Sequence, residues 1–478
     1  MSEISTLTPQ KIWQWFDAIC SIPHNSYQEQ ALAEHIVNWA KSKNFETHTD
    51  KAGNVFITKP ATKGFENHAP IALQAHLDMV CQSNEPYDFS KEPIRPVIAG
   101  EWVKATGTTL GADNGMGLAS ILAVLDSDDL KHPMLEAVLT VSEETGMEGA
   151  INLERGRLKS KIMINTDTEE INEIYVGCAG GIDADIRLAV NVEPLSDESV
   201  FEFKLFGLKG GHSGIDIHKN HENAIKWLAY ALSKTDARLV SLKGGTARNA
   251  IPRMATAVVA VSDKAKFING LTDICNDIKT LIGHFETGVA WEINELNDKP
   301  SGAVSTTDTK KIINFINGLP NGVVRNSDKV AGVVETSLSL GKITLNETGL
   351  HATSLLRSLN DIGKETAMAK LASVCDLTGA SVEFSGSYVG WEPNPTSPIT
   401  QITKQVYANV IGFEPKLNVI HAGLECGLLC QAYPKMDIVS IGPTIHNAHS
   451  PDECVHIDSV NTYWQVLVGV LENAPKAA

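Results

Sequence analysis

Solid apolar runs and amphipathic stretches alternate along the N-terminal part of this chain, and that alternation sets the expected architecture. TPQKIWQWFDAI (8–19) and QEQALAEHIVNWAKS (28–42) repeat apolar residues at helical spacing. NVFITKP (54–60), PIALQAHLDMV (70–80), LEAVLTV (135–141) and KIMINTD (161–167) read as strands, and GMGLASILAVLD (115–126) as a buried helix. Strands apolar on both faces, separated by helices, predict an α/β sheet with helices on both sides.

The texture changes near residue 180. GCAGGIDADIRLAV (177–190) leads into VFEFKLFGLKGG (200–211), where apolar and polar residues alternate as in a sheet with one face toward water. GSYVGWEPNPTSP (386–398) is rich in glycine and proline and reads as a return linker. Buried strands such as MDIVSIG (436–442) resume after it. The pattern predicts a discontinuous domain made of 1–182 and 394–478, interrupted by an inserted domain over 183–393.

Composition narrows the functional class. The 478 residues carry 40 Lys and Arg against 57 Asp and Glu, a formal charge of −17, and the basic residues form no run. That disfavours nucleic acid as the main partner, because phosphate binding needs a basic face. No stretch approaches the ~20 continuous apolar residues of a membrane span. MSEISTLTPQ lacks the basic and apolar segments of a secretory signal, so a cytosolic protein without membrane contact is expected. The eight dispersed cysteines form no C-x-x-C pair and read as buried reduced thiols.

Candidate chemistry gathers at strand ends, where open α/β sheets place their sites. In QAHLDMV, His76 and Asp78 are two apart and share a strand face, so Asp78 is placed to orient an imidazole ligand. Asp113 lies in the glycine-rich turn of TTLGADNGMG, where an ordinary Asp would cap the following helix. Glu143 and Glu144 follow LEAVLTV, and Asp167 ends KIMINTD. Neighbouring residues at a strand end project to opposite sides, so one glutamate could ligate a metal while the other acts on a water. Two solvated glutamates opening a helix is the plainer alternative. IHNAHSPDECVHID (445–458) offers His446, His449 and His456 as a last ligand, and spacing does not choose among them. Singly, each of these residues has a structural explanation; it is their recurrence on successive strands that points to a metal site. Ser213 sits in G-H-S-G and not in the G-x-S-x-G of a nucleophile elbow, so serine hydrolysis is discounted.

AHLDMV, GADNGMG, SEETGMEGA, a strand ending in NTD, and AHSPDECV follow one another in the order of the cocatalytic zinc aminoacylase and dipeptidase family. The resemblance continues through GGHSGIDIHKNHENA, ARNAIPR and HAGLECG, and so covers nearly the whole chain. It implies a zinc-peptidase domain with a central mixed sheet flanked by helices, interrupted by an α+β lid domain. It further implies two Zn2+ per subunit, with Co2+ or Mn2+ as substitutes that carboxylate and imidazole ligands would also accept. Asp113 would bridge the two metals and precede a cis peptide bond. His76 and Asp167 would complete one metal, Glu144 and His449 the other. Asp78 would orient His76, Glu143 would be the general base, and His212 of GGHSG would stabilise the oxyanion.

Substrate contacts carried over by the resemblance are Asn249, Arg357, Gly423 and Glu425. Arg357 in SLLRS would clamp a carboxylate, and Glu425 would take the free amino group or cap its helix. Asn249 would hydrogen-bond the substrate or simply form the turn before Pro252. The implied activity is hydrolysis of small dipeptides with a free amino terminus, Xaa-His and β-alanyl-histidine among them, by a homodimer joined through the lid. The competing readings are an N-acyl amino acid deacylase or aminotripeptidase of the same family, and a metal-binding scaffold without catalysis.

Overall fold

In the computed structural model, which describes residues 2–298 and 300–477, the apolar runs become the centre of an eight-stranded mixed sheet. Four of its strands and one helix carry the chemistry: β1 (Ile71–His76), α1 (Ala112–Leu125), β2 (Leu135–Thr140), β3 (Ile162–Asn165) and β4 (Asp437–Ser440). β1 lies between β2 and β3 and is parallel to both, and β3 is parallel to β4. Every residue of β1, β2 and β3 is buried, which explains why these segments do not alternate. The outer strands Glu46–Thr49 and Val55–Lys59 join antiparallel beside β2, making the sheet mixed.

The chain divides into two compact units, one of Met1–Gly177, Pro393–Val419 and Leu424–Ala478, the other of Cys178–Glu392 and Ile420–Gly423. Strands β1 to β4 and α1 belong to the first. Its core joins Trp13 and Phe16 of helix Gln10–Cys20, Ile121 and Leu122 of α1, and Tyr463 and Leu467 of helix Ile457–Glu472.

The second unit is built on a nine-stranded antiparallel sheet whose longest hairpin pairs Val334–Asn346 with Gly349–Ser358. Strand Ser199–Phe206 does alternate, with Phe201, Phe203 and Leu205 buried between partly exposed Glu202, Lys204 and Phe206. Helices Ala224–Leu232, Lys264–Ile282, Thr306–Gly318 and Asp361–Thr378 contribute to the core on that buried side. The return linker is shorter than its composition suggests, because residues 386–388 still belong to strand Ser381–Tyr388.

Two local expectations fail for one reason: both strands end early. β1 stops at His76, so Asp78 lies in the following bend and shares no strand face with it. β2 stops at Thr140, so Glu143 and Glu144 sit in a turn instead of alternating along a strand. The turn begins with Ser142 at φ +52°, which redirects the chain and aims both carboxyls to the same place.

Candidate active site

α1 delivers Asp113 in an unusual way. Asp113 and Asn114 have non-helical backbone angles, and the bond between them is cis. The turn is held by Glu453, 2% exposed, whose Oε2 accepts the N–H of Leu110 (2.7 Å) and Gly111 (2.9 Å) and whose Oε1 accepts those of Ala112 (2.8 Å) and Asp113 (3.2 Å). One carboxylate thus satisfies four backbone donors at the start of α1. Asn114 continues the support by donating to Thr166 O (2.9 Å) and Asp167 Oδ1 (2.5 Å). Gly117 permits this approach: a Cβ there would lie 2.4 Å from both Asn114 Oδ1 and Thr166 Oγ1.

The two oxygens of Asp113 face different histidines. Oδ1 is 3.3 Å from His76 Nε2, and Oδ2 is 3.2 Å from His449 Nε2. Asp167 Oδ1 lies 3.4 Å from His76 Nε2, and Glu144 Oε1 lies 3.1 Å from His449 Nε2. Two ligand triads therefore share Asp113: His76, Asp113, Asp167 and Asp113, Glu144, His449, each with its donor atoms within 4.8 Å of one another. Glu143 makes a third grouping with His76 and Glu144, within the same 4.8 Å limit. His446 and His456 go elsewhere, flanking the Trp102 ring at centroid distances of 4.7 and 4.9 Å.

Asp78 does more than sequence reasoning assigned it. His76 Nδ1 is 2.9 Å from the Asp78 carbonyl and 3.3 Å from its carboxylate. That carboxylate also accepts the N–H groups of Glu143 (2.9 Å) and Glu144 (3.2 Å) and the Ser26 hydroxyl (2.7 Å). Beneath the ligands runs a buried polar row, one residue per strand. Gln74 of β1 donates to Thr140 of β2 (3.2 Å), Asn165 of β3 donates to Gln74 (2.5 Å), and Ser440 of β4 donates to Asn165. Asn165 Oδ1 also receives Asp167 N–H (3.1 Å), which fixes the ligand above it. Glu425, fully buried, joins the row as Oε2 accepts from Gln74 and Thr140, both at 2.7 Å, while Oε1 has no partner among the described residues. Its side chain does not cap its helix.

Crowding dominates the electrostatics. Burial pushes the carboxyls of Glu143, Glu144 and Asp167 above their usual range. Burial works against protonated His76, yet Asp167, Asp113 and Asp78 outweigh it and hold the imidazole well above its ordinary value. His449 is pushed up to about 11 by Asp113 and Glu144. Asp113 goes the other way: burial would raise it, but His449 and His76 hold it low. Three carboxyls driven toward protonation and two imidazoles toward the cation mark a site that favours added positive charge. A divalent ion reverses both tendencies. The oxygen and imidazole donor set, without thiolate, fits such ions.

His212, Asn249, Arg357 and Gly423 belong to the other unit. His212 Nδ1 accepts the N–H of Gly214 (3.2 Å) and Ile215 (3.0 Å), so the neutral ring carries its hydrogen on Nε2. Burial, then Arg357, lowers the His212 pKa and keeps it in that form. Arg357, 5% exposed, donates through Nη1 to Tyr388 Oη (2.9 Å), and its Nε has no partner among the described residues. Arg357 Nη2 lies 3.5 Å from His212 Nε2, so two donors face each other with no acceptor between them among the described residues. Among the described residues no carboxylate forms an ion pair with Arg357. His421 stands in the same corner, with Nε2 2.8 Å from Ser337 Oγ. Asn249 is exposed and supports the His212 loop through its carbonyl, which accepts Ser213 N–H (2.8 Å). Gly423 lies in the turn before helix Glu425–Ala432.

Sequence reasoning missed Glu453 and Glu425's partners. Glu453 lies four residues after His449, a spacing that carries both to one place, but nothing local shows its carboxylate reaching residues 110–113.

The sequence model of peptidase family M20/M25/M40 matches residues 72–473. The chain is 48% identical to the cytosol non-specific dipeptidase of Escherichia coli (strain K12), over 99% of this chain and all of that protein. Its structure superposes on that of aminoacylhistidine dipeptidase from Vibrio alginolyticus with a TM-score of 0.96 and 47% identity, over 100% of this chain and 99% of that one. Aminopeptidase PepT from Bacillus cereus, at 17% identity and a TM-score of 0.58 over 98% and 99% of the two chains, shares the fold.

Proposed function

Because the chain belongs to peptidase family M20/M25/M40, we propose that it is a dinuclear metallo-dipeptidase acting on dipeptides with a free amino terminus, Xaa-His and β-alanyl-histidine included. The observation that carries this reading is Asp113, whose two oxygens each face a separate histidine and carboxylate. His76, Asp113 and Asp167 would hold one ion, and Asp113, Glu144 and His449 the other. Two divalent ions there, Zn2+ with Co2+ or Mn2+ as substitutes, would polarise the scissile carbonyl and lower the pKa of a water.

The remaining steps belong to the chain's own groups. Glu143 takes the proton of the attacking water and returns it to the leaving amine. Its half-buried position and the Asp78 clamp on its N–H keep it oriented for both transfers. His212 Nε2–H donates to the oxyanion as the carbonyl becomes tetrahedral. Arg357 receives the substrate carboxylate, for which a guanidinium fork is suited. Its unpartnered Nε and the acceptor-free gap beside His212 support that role. Asn249 and Gly423 contact the substrate backbone. Glu425 recognises the amino group through Oε1, the oxygen that has no protein partner among the described residues. The cytosol is the proposed location, and a homodimer through the 178–392 unit the proposed assembly.

The test is hydrolysis of β-alanyl-histidine and of its N-acetyl form by purified protein, after chelation and after Zn2+ is restored. Metal-dependent cleavage of the free dipeptide alone is the expected result. Cleavage of the acetylated form would make the chain a deacylase, and no cleavage by metal-loaded protein of any of a panel of dipeptides would end the dipeptidase reading.

A further inference from the structure

The Glu143–Glu144 turn is braced from a segment that the reading above leaves without a role. Residues 141–149 form a loop whose feet are pinned by Asn54. Its Oδ1 accepts Val141 N–H (3.2 Å) and its Nδ2 donates to Gly149 O (2.9 Å). The crown is less conventional. Ser142 takes φ +52°, a left-handed conformation that a non-glycine residue adopts only where its surroundings impose it.

Those surroundings are Glu29. Its carboxylate, 5% exposed, accepts both the N–H (2.8 Å) and the hydroxyl (3.0 Å) of Ser142 through one oxygen, Oε1. Glu29 immediately precedes helix Gln30–Ser42, yet its side chain makes no cap on that helix. Three residues earlier, Ser26 donates to Asp78 Oδ2 (2.7 Å), and Asp78 in turn holds the N–H groups of Glu143 and Glu144. The short stretch from Ser26 to Glu29 thus reaches the turn twice, directly before the two glutamates and again through their own amides.

We infer that Glu29 is a positioning residue for hydrolysis: by clamping Ser142 in its left-handed turn, it sets where the carboxyls of Glu143 and Glu144 stand. The inference rests on the assignment of Glu143 as base and Glu144 as ligand. Without the clamp, Ser142 relaxes toward negative φ, and the turn that follows swings both glutamates from the site. Misplacement by about 1 Å is enough to lower turnover on the order of 100-fold. Glu29 and Ser142 also line a cleft of about 1120 Å3 together with Tyr27, Asp50 and Gly53, which gives small solutes a route to a vacated carboxylate position.

The experiment measures kcat, KM, bound metal and melting temperature with β-alanyl-histidine, or the best-cleaved dipeptide, for Glu29→Ala, Glu29→Gln and the double variant Glu29→Ala, Ser142→Gly. Glu29→Ala is expected to lose kcat on the order of 10- to 100-fold with KM held, and to bind the metal that Glu144 ligates more weakly. Glu29→Gln keeps most of its turnover, because its carbonyl oxygen accepts the same two bonds. Glycine at 142 restores part of kcat to the alanine variant, since it takes positive φ without strain, and added formate does the same.

The inference is overturned if Glu29→Ala keeps kcat within about twofold of the parent, or if Glu29→Gln falls as far as Glu29→Ala. Should Glu29→Ala not fold, Ser142→Val poses the question from the other partner, because a β-branched residue resists the left-handed region. Unchanged kcat in that variant would equally refute the brace. Glu143→Ala, run alongside, separates the two readings. Activity that survives Glu143→Ala removes the base assignment, whereas activity lost there but kept in Glu29→Ala removes only the brace.

Discussion

At the ends of β1, α1, β2 and β3, carboxyls crowd around two imidazoles, and burial drives those of Glu143, Glu144 and Asp167 toward protonation. In the hairpin unit the imbalance is of the opposite sign. A buried guanidinium and an imidazole N–H face each other 3.5 Å apart, with no acceptor to share among the described residues. The first set of groups suits cations, and the second suits an anion. Both nonetheless hold their loops in the same way. Glu453 accepts four N–H groups at the start of α1, and the fully buried Glu286 accepts Lys209 N–H (2.6 Å) and Glu222 N–H (2.9 Å) at the two ends of the His212 loop. Rigid support is common to both corners; polarity distinguishes them.

The largest effect should come from the negative corner. Glu143→Ala is expected to lower kcat by about 10^2- to 10^4-fold while bound metal, measured by atomic absorption, stays at the parental level. Retained turnover would break the division between ligands and base. His212→Ala tests the positive corner, with an expected fall of about 10^2- to 10^3-fold in kcat and unchanged metal content. Arg357→Ala should separate from it by acting chiefly on KM, and only for substrates with a free carboxylate. If an amidated dipeptide loses as much from Arg357→Ala as the free one, the carboxylate contact is wrong.

Glu453→Ala should weaken metal binding about 10- to 100-fold while leaving every ligand side chain in the sequence, as measured by competition with a chromogenic chelator. The smallest effect concerns stability. Burial, then Arg357, pushes the His421 pKa down to about 3. The unfolded chain therefore binds the proton first, near the ordinary value of about 6.5. Stability from this group is complete above that pH and is lost as pH falls toward 3, by about 2 kcal/mol at pH 5. His421→Gln should flatten the acid side of the melting-temperature profile.

Much of this is readable in the residues. The unbroken apolar runs locate β1, β2 and β3, and the strand-end residues His76, Asp113, Glu144 and Asp167 do converge. The choice of His449 over His446 and His456 is not readable, because it depends on the turn at φ +64° that points His449 at Asp113, 336 positions earlier. Nor is the direction of Glu143, since strand periodicity does not extend past the end of β2 at Thr140. The supporting carboxylates are hidden for a related reason. Glu29 and Glu453 have no local signature, and the partners they hold lie 113 and 343 residues away.

The reach of Glu453 has a consequence for synthesis. His449 and Glu453 are translated 336 and 340 residues after the aspartate they serve. Domains begin to fold while the ribosome is still adding residues, so the whole 178–392 unit is made first. Until residue 453 has emerged, the turn at Asp113 has no acceptor for its four amides and the second triad has no histidine. In a nascent chain the two halves of the site are therefore separated in time: the strand-end carboxylates exist well before the histidine and the brace that complete their arrangement.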